Sequence, residues 1–346
     1  MDKYVGILRV NRRHILREGG TILIRAVFYL GPAFGFTPIL FGPENVDFDK
    51  NTIDGQVFKN GKLEDITVSI PPVIDNSPLD SRYADFMKKM NERTHMIRQK
   101  LGTTKQMVYD MLSKEGSFKH ILIPTEPISS LSQVVNELDK NDIIIKHRSG
   151  SGGRSIHKLS KDGDHYQMIK GNDKVRLNEE EVGMFLNEKI EDGGWIMQPF
   201  VTSTSKFGEP FDIRIHCKRG AGGKFVTRAF PRVGSAKGVV SNISSGGYTM
   251  PLEAFLQRNF GEEGAEEILA KIKNLGDTFP EYYDKFFKSE LFDVGIDIGI
   301  DKERNLNLFE VNTYVGPLGF EIDDAINCFG YYNHLYDKLG LNQGIN

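Results

Sequence analysis

Little in this sequence points to the commoner ways of building a functional site. The 346 residues hold two cysteines, Cys217 and Cys328. Two thiols cannot make a disulfide framework, nor a four-ligand zinc site unaided. A reduced, cytoplasmic setting is therefore the simplest expectation. No segment holds about 18 uninterrupted apolar residues, so no membrane span is expected. The opening MDKYVGILRV has too short an apolar run for a signal peptide. The net charge is −3 at pH 7, which gives no general pull toward nucleic acid or an anionic membrane. There is no internal repeat. The N-terminal region lacks the Gly-x-Gly-x-x-Gly fingerprint of dinucleotide binders. No Cys/His or Ser/His/Asp arrangement suggests a side-chain nucleophile. What remains is an ordinary globular composition, 39% hydrophobic and 26% charged, in a chain long enough for two or three domains.

The most informative stretch runs from Phe292 to Phe320. Val294, Ile296, Ile298 and Ile300 alternate with Asp293, Gly295, Asp297, Gly299 and Asp301, the period of a strand with one apolar face. Lys302-Glu303-Arg304-Asn305 interrupts the pattern, and Leu306 to Asn312 resumes it. The pair reads as an antiparallel hairpin. With those four polar residues as the loop, Asp301 pairs with Leu306, and Asp297 falls opposite Glu310. Asn312 follows on the same face, while Ile296, Ile298, Phe309 and Val311 share the core face. The two carboxylates would then lie with Cβ atoms roughly 5 Å apart. They repel unless a cation sits between them or one is protonated. Two carboxylates and an amide suit a hard cation, Mg²⁺ or Mn²⁺, whose remaining positions are filled by phosphate oxygens and water. The alternative is a solvated hairpin face with surface carboxylates.

Elsewhere the pattern is mixed α/β. Tyr4–Val10 and Phe36–Phe41 read as strands on either side of an apolar Thr21–Tyr29 segment, and Val46–Ile70 reads as a small β-rich unit. Residues 81–115 read as helical, with Met107, Met111 and Leu112 recurring at helical spacing. Thr103-Thr104 suits a helix cap that puts Lys105 in the first turn, against the helix dipole. Ile121–Ile128 reads as a strand. Asp142–Lys146 is a buried-looking strand that runs into HRSGSGGRSIHKL. A glycine loop of backbone donors after Lys146 can close over phosphates; a ligand-free hairpin tip would look the same. It is no P-loop, since no Gly-Lys-Ser/Thr follows. Asn178–Glu188 reads as a helix. In Phe211–Cys217, Asp212, Arg214 and His216 share one face and Ile213 and Ile215 the other; His216 suits a structural role. Ala265–Phe287 reads as helix broken near Pro280, and Asp323–Leu339 as a final helix.

The order of these elements resembles the ATP-grasp superfamily. A lysine-bearing helix, a strand ending at Lys146, a glycine loop, QPFV, a DIR strand, an Arg/Asn loop and an Asp…Glu-x-Asn hairpin follow one another. VGIL, TPILFGPENVDF, IDGQVF, PPVIDN, NISSGG and DVGIDIGID are similar to the YheC/YheD group, known as endospore coat-associated ATP-grasp proteins. The resemblance implies an α/β (α+β) ATP-grasp fold: an N-terminal pre-ATP-grasp domain over residues 1–85, then an ATP-grasp domain over 86–345. Within the latter, a lid-like part spans about 142–200 and a metal-binding part about 201–340. It implies ATP with Mg²⁺ (or Mn²⁺) as cofactors. Lys105 and Lys146 match the phosphate-contacting lysines. Ser149, Gly150, Ser151, Gly152, Gly153, Arg154 and Ser155 match the closing loop. Gln198, Pro199, Phe200 and Val201 match the adenine hinge. Arg214 matches the phosphate-facing basic residue, Arg232 and Asn242 match positions near the γ-phosphate and acyl site, and Asp297, Glu310 and Asn312 match the magnesium ligands. Two departures stand out: NTYVGPLGF lacks the usual Pro-Gly turn after the asparagine, and Gln198 stands where an acidic residue is common. The implied activity is a ligase that joins a small-molecule or peptide carboxylate to an amine or other nucleophile through an acyl phosphate. An ATP-grasp kinase acting on an alcohol and a non-catalytic spore-coat-associated ATP-binding protein are the alternatives. The resemblance leaves the oligomeric state open, a homodimer included, and admits spore association.

Overall fold

The structure is a computed structural model that describes residues 3–10, 21–98, 103–150, 155–235, 241, 246–316 and 319–342. In chain order its elements begin with β1 (Lys3–Leu8), α1 (Ile22–Leu30), β2 (Phe36–Phe41), β3 (Val46–Asp47), β4 (Thr52–Lys59), β5 (Lys62–Ser69), β6 (Val73–Asn76), α2 (Ala84–Asn91) and β7 (His95–Met96). Next come α3 (Lys105–Glu115), β8 (Glu126–Pro127), α4 (Leu131–Leu138), β9 (Ile143–His147), β10 (Ile156–Asp162), β11 (His165–Lys170), β12 (Asp173–Leu177), α5 (Glu179–Asp192) and β13 (Trp195–Pro199). The chain continues with β14 (Phe211–Arg219), β15 (Phe225–Val233), α6 (Leu252–Asp284), β16 (Asp293–Ile300), β17 (Leu306–Asn312) and α7 (Glu321–Lys338).

These elements build three sheets. The first runs β3-β4-β2-β1-β6-β7, with β5 also on β4. Its centre is parallel, with β2 and β6 on either side of β1 and β7 on β6. Such strands are covered on both faces, and their apolar runs show it: Val5, Ile7, Leu8, Ile39, Leu40 and Phe41 are all buried. The second sheet is antiparallel, β12-β11-β10-β9-β13-β8, and the third is β15-β14-β16-β17. Helix α7 leaves the third sheet and packs Cys328, Phe329, Tyr332 and Leu335 against α1 and the first sheet. The C-terminal helix thus closes the N-terminal core.

Local expectations meet the structure unevenly. Asn178 caps α5 in a capping box with Glu181, as an NEEE start requires. Thr104 caps α3, its hydroxyl accepting from the Met107 N–H at 3.2 Å. The buried face of α3 is Val108 and Leu112, and Met107 is exposed. Thr21–Tyr29 is mostly helix α1. Ile121–Ile128 holds only the two-residue β8, because Pro124 and Pro127 cannot donate to a ladder. Helix α6 continues through Pro280, and its non-helical residue is Gly261 (φ 74°), a conformation glycine adopts freely.

The β16–β17 hairpin carries the finding that matters most for the site. Ile300, not Asp301, pairs with Leu306, so the loop is five residues long. The register then shifts at a β-bulge between Asp297 and Ile298, where Phe309 is the extra residue. The shift restores Asp297 opposite Glu310 and Gly295 opposite Asn312. It also turns Phe309 out of the core: Leu308 takes the place in the apolar cluster with Ile296 and Ile298. The Phe309 ring lies over Gly299, where a Cβ would come within 2.1 Å of it. Gly299 is therefore the space that the bulged ring fills.

A second organising feature is a buried ionic cluster between the first and third sheets. The Arg98 guanidinium donates to Asp75 at 2.7 Å and to Asp293 at 3.0 Å, and Arg9 reaches Asp75 at 3.1 Å. The Tyr332 hydroxyl donates to Asp75 at 2.6 Å. Burial favours a neutral Asp75, but Arg98, Arg9 and that hydroxyl outweigh it and hold the carboxyl well below the usual carboxylate range.

Two predictions follow from these arrangements. Gly299→Ala should cost about 1–3 kcal/mol by overpacking, and much less in a Phe309→Ala background. A double-mutant cycle by urea denaturation checks this, and equal costs in both backgrounds would contradict the packing. Asp75→Asn should cost about 3–5 kcal/mol at pH 7, because it leaves buried guanidinium groups under-paired. Asp75 has a depressed native pKa, so its contribution is complete above the unfolded value near 4 and is lost as pH falls below it. The gap between wild type and variant should accordingly narrow in acid; a gap constant from pH 7 to pH 3 would refute the linkage.

Candidate functional site

Strand β14 lies between β15 and β16, and its ladder sets the site. Asp212 pairs with Arg232 on one side; Arg214 pairs with Phe230 and, on the other side, with Asp297. Asp297 in turn pairs with Glu310, so Phe230, Arg214, Asp297 and Glu310 form one cross-strand row. His216, Gly295 and Asn312 belong to the next row on the same face.

Asp297 is 5% exposed. Its two oxygens accept from Arg214 Nε and from Arg214 Nη2 at 2.9 Å. Arg232 Nη2 stands 3.0 Å from Oδ2, and the Asn312 amide donates to the same oxygen at 3.3 Å. Burial alone would raise the Asp297 pKa, but Arg232 and Arg214 hold it below the ordinary value. Arg232 also donates to Asp212, from Nε at 2.7 Å and from Nη2 at 2.5 Å. Burial, with the Asp297 charge nearby, pushes the Asp212 carboxyl up despite Arg232. Glu310, at the open end of the row, meets the Lys105 ammonium at 3.1 Å. The repulsion expected of facing carboxylates is thus relieved by three cations.

Facing this row across a cleft is the end of the second sheet. The cleft encloses about 270 Å³, and its walls include Lys105, Lys146, Ser149, Gly150, Gln198, Glu310 and Asn312. Lys146 is buried at the end of β9 and donates to the Phe309 carbonyl at 3.2 Å. Burial pushes its pKa down to about 8, against the pull of Glu310. The Lys105 ammonium also donates to the Gly150 carbonyl, and its backbone N–H donates to the Arg148 carbonyl at 3.0 Å. Helix α3 is therefore tied to both the hairpin and the start of the glycine loop. The buried Gln198 amide donates to the Thr125 hydroxyl at 2.6 Å, which fixes it against the cleft's inner wall.

The expected residues are placed as follows. Lys105, Lys146, Ser149, Gly150, Gln198, Glu310 and Asn312 share the cleft, and Asp297, Arg214 and Arg232 lie in and beside the row that continues from it. Ser155 lies beside Gly150, close enough that a Cβ there would meet it at 3.2 Å. Pro199 ends β13, and Phe200 follows with its N–H donating to the Asp142 carbonyl at 2.8 Å; with Val201 they continue from Gln198 beyond the cleft walls. Ser151, Gly152, Gly153, Arg154 and Asn242 lie outside the described residues. Sequence reasoning missed Tyr109, Thr125, Arg148, Phe309 and Tyr314 as cleft residues. Phe309 had one signal, its place next to Glu310, and a regular hairpin turns it the wrong way.

The donor set fits a hard divalent cation. Asp297, Glu310 and Asn312 are oxygen donors on adjacent positions of one face. Among the described residues no three His, Cys, Asp or Glu side chains could hold a metal together. Three protein oxygens would leave the remaining positions of such an ion to phosphate oxygens and water, as is usual for Mg²⁺. No helix of the described residues is long and apolar enough to cross a membrane.

Known proteins resemble the chain in sequence and in fold. The sequence is 22% identical to the endospore coat-associated protein YheC of Bacillus subtilis over 90% of this chain and 88% of that one. It is 21% identical to YheD of the same organism over 80% of this chain, and the match spans 64% of YheD. Among solved structures, D-alanyl-alanine synthetase A from Vibrio cholerae aligns with a TM-score of 0.53 at 11% identity, covering 94% of this chain and 93% of that one. N5-carboxyaminoimidazole synthetase from Staphylococcus aureus, complexed with ADP, aligns with a TM-score of 0.52 at 10% identity over 95% and 77%. At those identities the likeness establishes the fold alone. The profile of the YheC/D-like ATP-grasp family matches residues 93–325, about two-thirds of the sequence, and the chain belongs to that family.

Proposed function

We propose that this protein is an ATP-dependent, Mg²⁺-dependent ligase that joins a carboxylate to an amine or another nucleophile. The observation that carries the reading is the Arg214–Asp297–Glu310 row with Lys105 and Lys146 at its open end. A site whose cations and oxygen donors converge without a side-chain nucleophile suits phosphoryl transfer, where positioning and charge neutralisation do most of the work.

The chain's own residues divide the task. Lys105 and Lys146 hold the nucleotide phosphates at the cleft floor. Gln198 and the Pro199–Val201 backbone receive the adenine. Arg214 and Arg232 neutralise the group in transfer. Asp297, Glu310 and Asn312 would hold magnesium, which would supply charge neutralisation for the transferring phosphoryl group. The carboxylate oxygen of the substrate attacks the γ-phosphorus and ADP leaves; the amine then attacks the acyl carbon and phosphate leaves, with one amide formed per ATP consumed. Residues 1–85 serve as the N-terminal unit and 86–345 as the nucleotide-gripping unit, with β7 docked back onto the first sheet.

The test is ADP release from Mg-ATP across a panel of amino acids, short peptides and amines. A substrate-dependent release that yields a new amide is expected, and Glu310→Gln should abolish it, at least a hundredfold, with an unchanged circular dichroism spectrum. Undiminished turnover in that variant would remove Glu310 from the site. A phosphorylated alcohol in place of an amide would make the protein a kinase.

A further inference from the structure

Arg98 is not among the cleft residues, yet it touches one of them, Tyr314, from behind. It is 8% exposed, with four hydrogen bonds: Nε and Nη2 to Asp293 Oδ2 at 3.2 and 3.0 Å, and Nη1 to Asp75 Oδ1 at 2.7 Å and to the Asn76 carbonyl at 3.1 Å. Its backbone is clamped as well, by the Asn76 side chain at 2.7 and 3.0 Å. The guanidinium lies over the Phe292 ring at 4.4 Å and the Tyr314 ring at 5.5 Å. A fully buried guanidinium is expensive to desolvate, and an apolar replacement often serves stability as well. Geometry is the better reason for its presence here.

The far side of Asp293 shows what that geometry controls. Asp293 is 1% exposed, and its other oxygen accepts from the Val315 N–H at 3.0 Å. Val315 covers Gly295, where a Cβ would lie 2.9 Å from it and 3.3 Å from Arg214 Nη1. Asn312, Thr313 and Tyr314, the three residues before Val315, all line the cleft. This turn is pinned at one end by the pairing of Asn312 with Gly295 and at the other by Asp293. Asp293 in turn keeps its position through Arg98.

We propose that Arg98 is a positioning residue for the cation site: through Asp293 and Val315 it holds the Asn312–Val315 turn, and with it the Asn312 amide, against Asp297. The proposal rests on the reading of the cleft as a nucleotide–metal site. Loss of Arg98 removes the guanidinium that anchors Asp293, so the carboxylate moves and Val315 is released. Asn312 then loses its fixed direction while Asp297 and Glu310 keep theirs.

The test uses the whole protein, Mn²⁺ as a spectroscopic substitute and ADP as the nucleotide. Mn²⁺ affinity in the ADP complex is measured by electron paramagnetic resonance, ADP affinity without metal by calorimetry, and all readings are taken well below each variant's unfolding midpoint. Arg98→Met should lower Mn²⁺ affinity by about tenfold or more while lowering metal-free ADP affinity far less. Arg98→Lys should recover part of the loss, since it returns the charge without the planar fork. Asp75→Asn cuts only the arm toward the first sheet, so it should lower the unfolding midpoint and leave Mn²⁺ affinity within about threefold. Asp293→Asn, nearly isosteric, should reproduce the Arg98→Met effect and serves if that variant does not fold. Unchanged Mn²⁺ affinity in Arg98→Met, or an equal loss in Asp75→Asn, overturns the proposal alone. A wild-type protein that takes up no ADP overturns the reading beneath it.

Discussion

The whole arrangement depends on a carboxylate buried in the middle of a sheet. Asp297 sits on β16 between Arg214 on one neighbour and Glu310 on the other. An isolated charge at that depth would be prohibitive, and it persists because Arg214, Arg232 and Asn312 satisfy its oxygens. Those groups must then stand in fixed positions around one point. Under the proposed reading, that point is where a phosphate and its cation would meet. The electrostatic demand of burying Asp297 and the functional demand of gathering charge are met by the same side chains.

Around that point the three sheets have distinct tasks. The third supplies the charged floor. The second carries Lys146 and Gln198 to its edge and completes the cleft. In the first, Asp75 and Asn76 grip Arg98, whose other face braces Asp293 and Tyr314. Helix α7 returns from the third sheet to bury Tyr332 against the first, and its hydroxyl completes the shell around Asp75. The first and third sheets are thus joined through charge as well as through apolar contact.

How much of this could be read from the sequence depends on the residue. The facing of Asp297 and Glu310 was legible because strict alternation in DVGIDIGI fixes one face of β16. The count behind it contained two compensating differences: the loop is one residue longer, and the bulge at Phe309 restores the offset. Composition cannot announce a bulge in LNLFEVN, so Phe309 was assigned to the core. The cap at Thr104 and the helix start at Asn178 were legible because helix N-termini carry local chemistry. Pro280 misled because a proline can sit inside a long packed helix when tertiary contacts hold both sides, whereas Gly261 breaks it through a positive φ. Arg98 carried no signal: its partners Asp75 and Asp293 are 23 and 195 residues away, and nothing local distinguishes it from a surface arginine.

The most direct measurement is anomalous diffraction from crystals grown with ADP and Mn²⁺. The account predicts a manganese peak within about 2.5 Å of oxygens from Asp297, Glu310 and Asn312, with the diphosphate reaching toward Lys105 and Lys146. Nucleotide density in another part of the molecule, or a metal bound away from that hairpin, would contradict it.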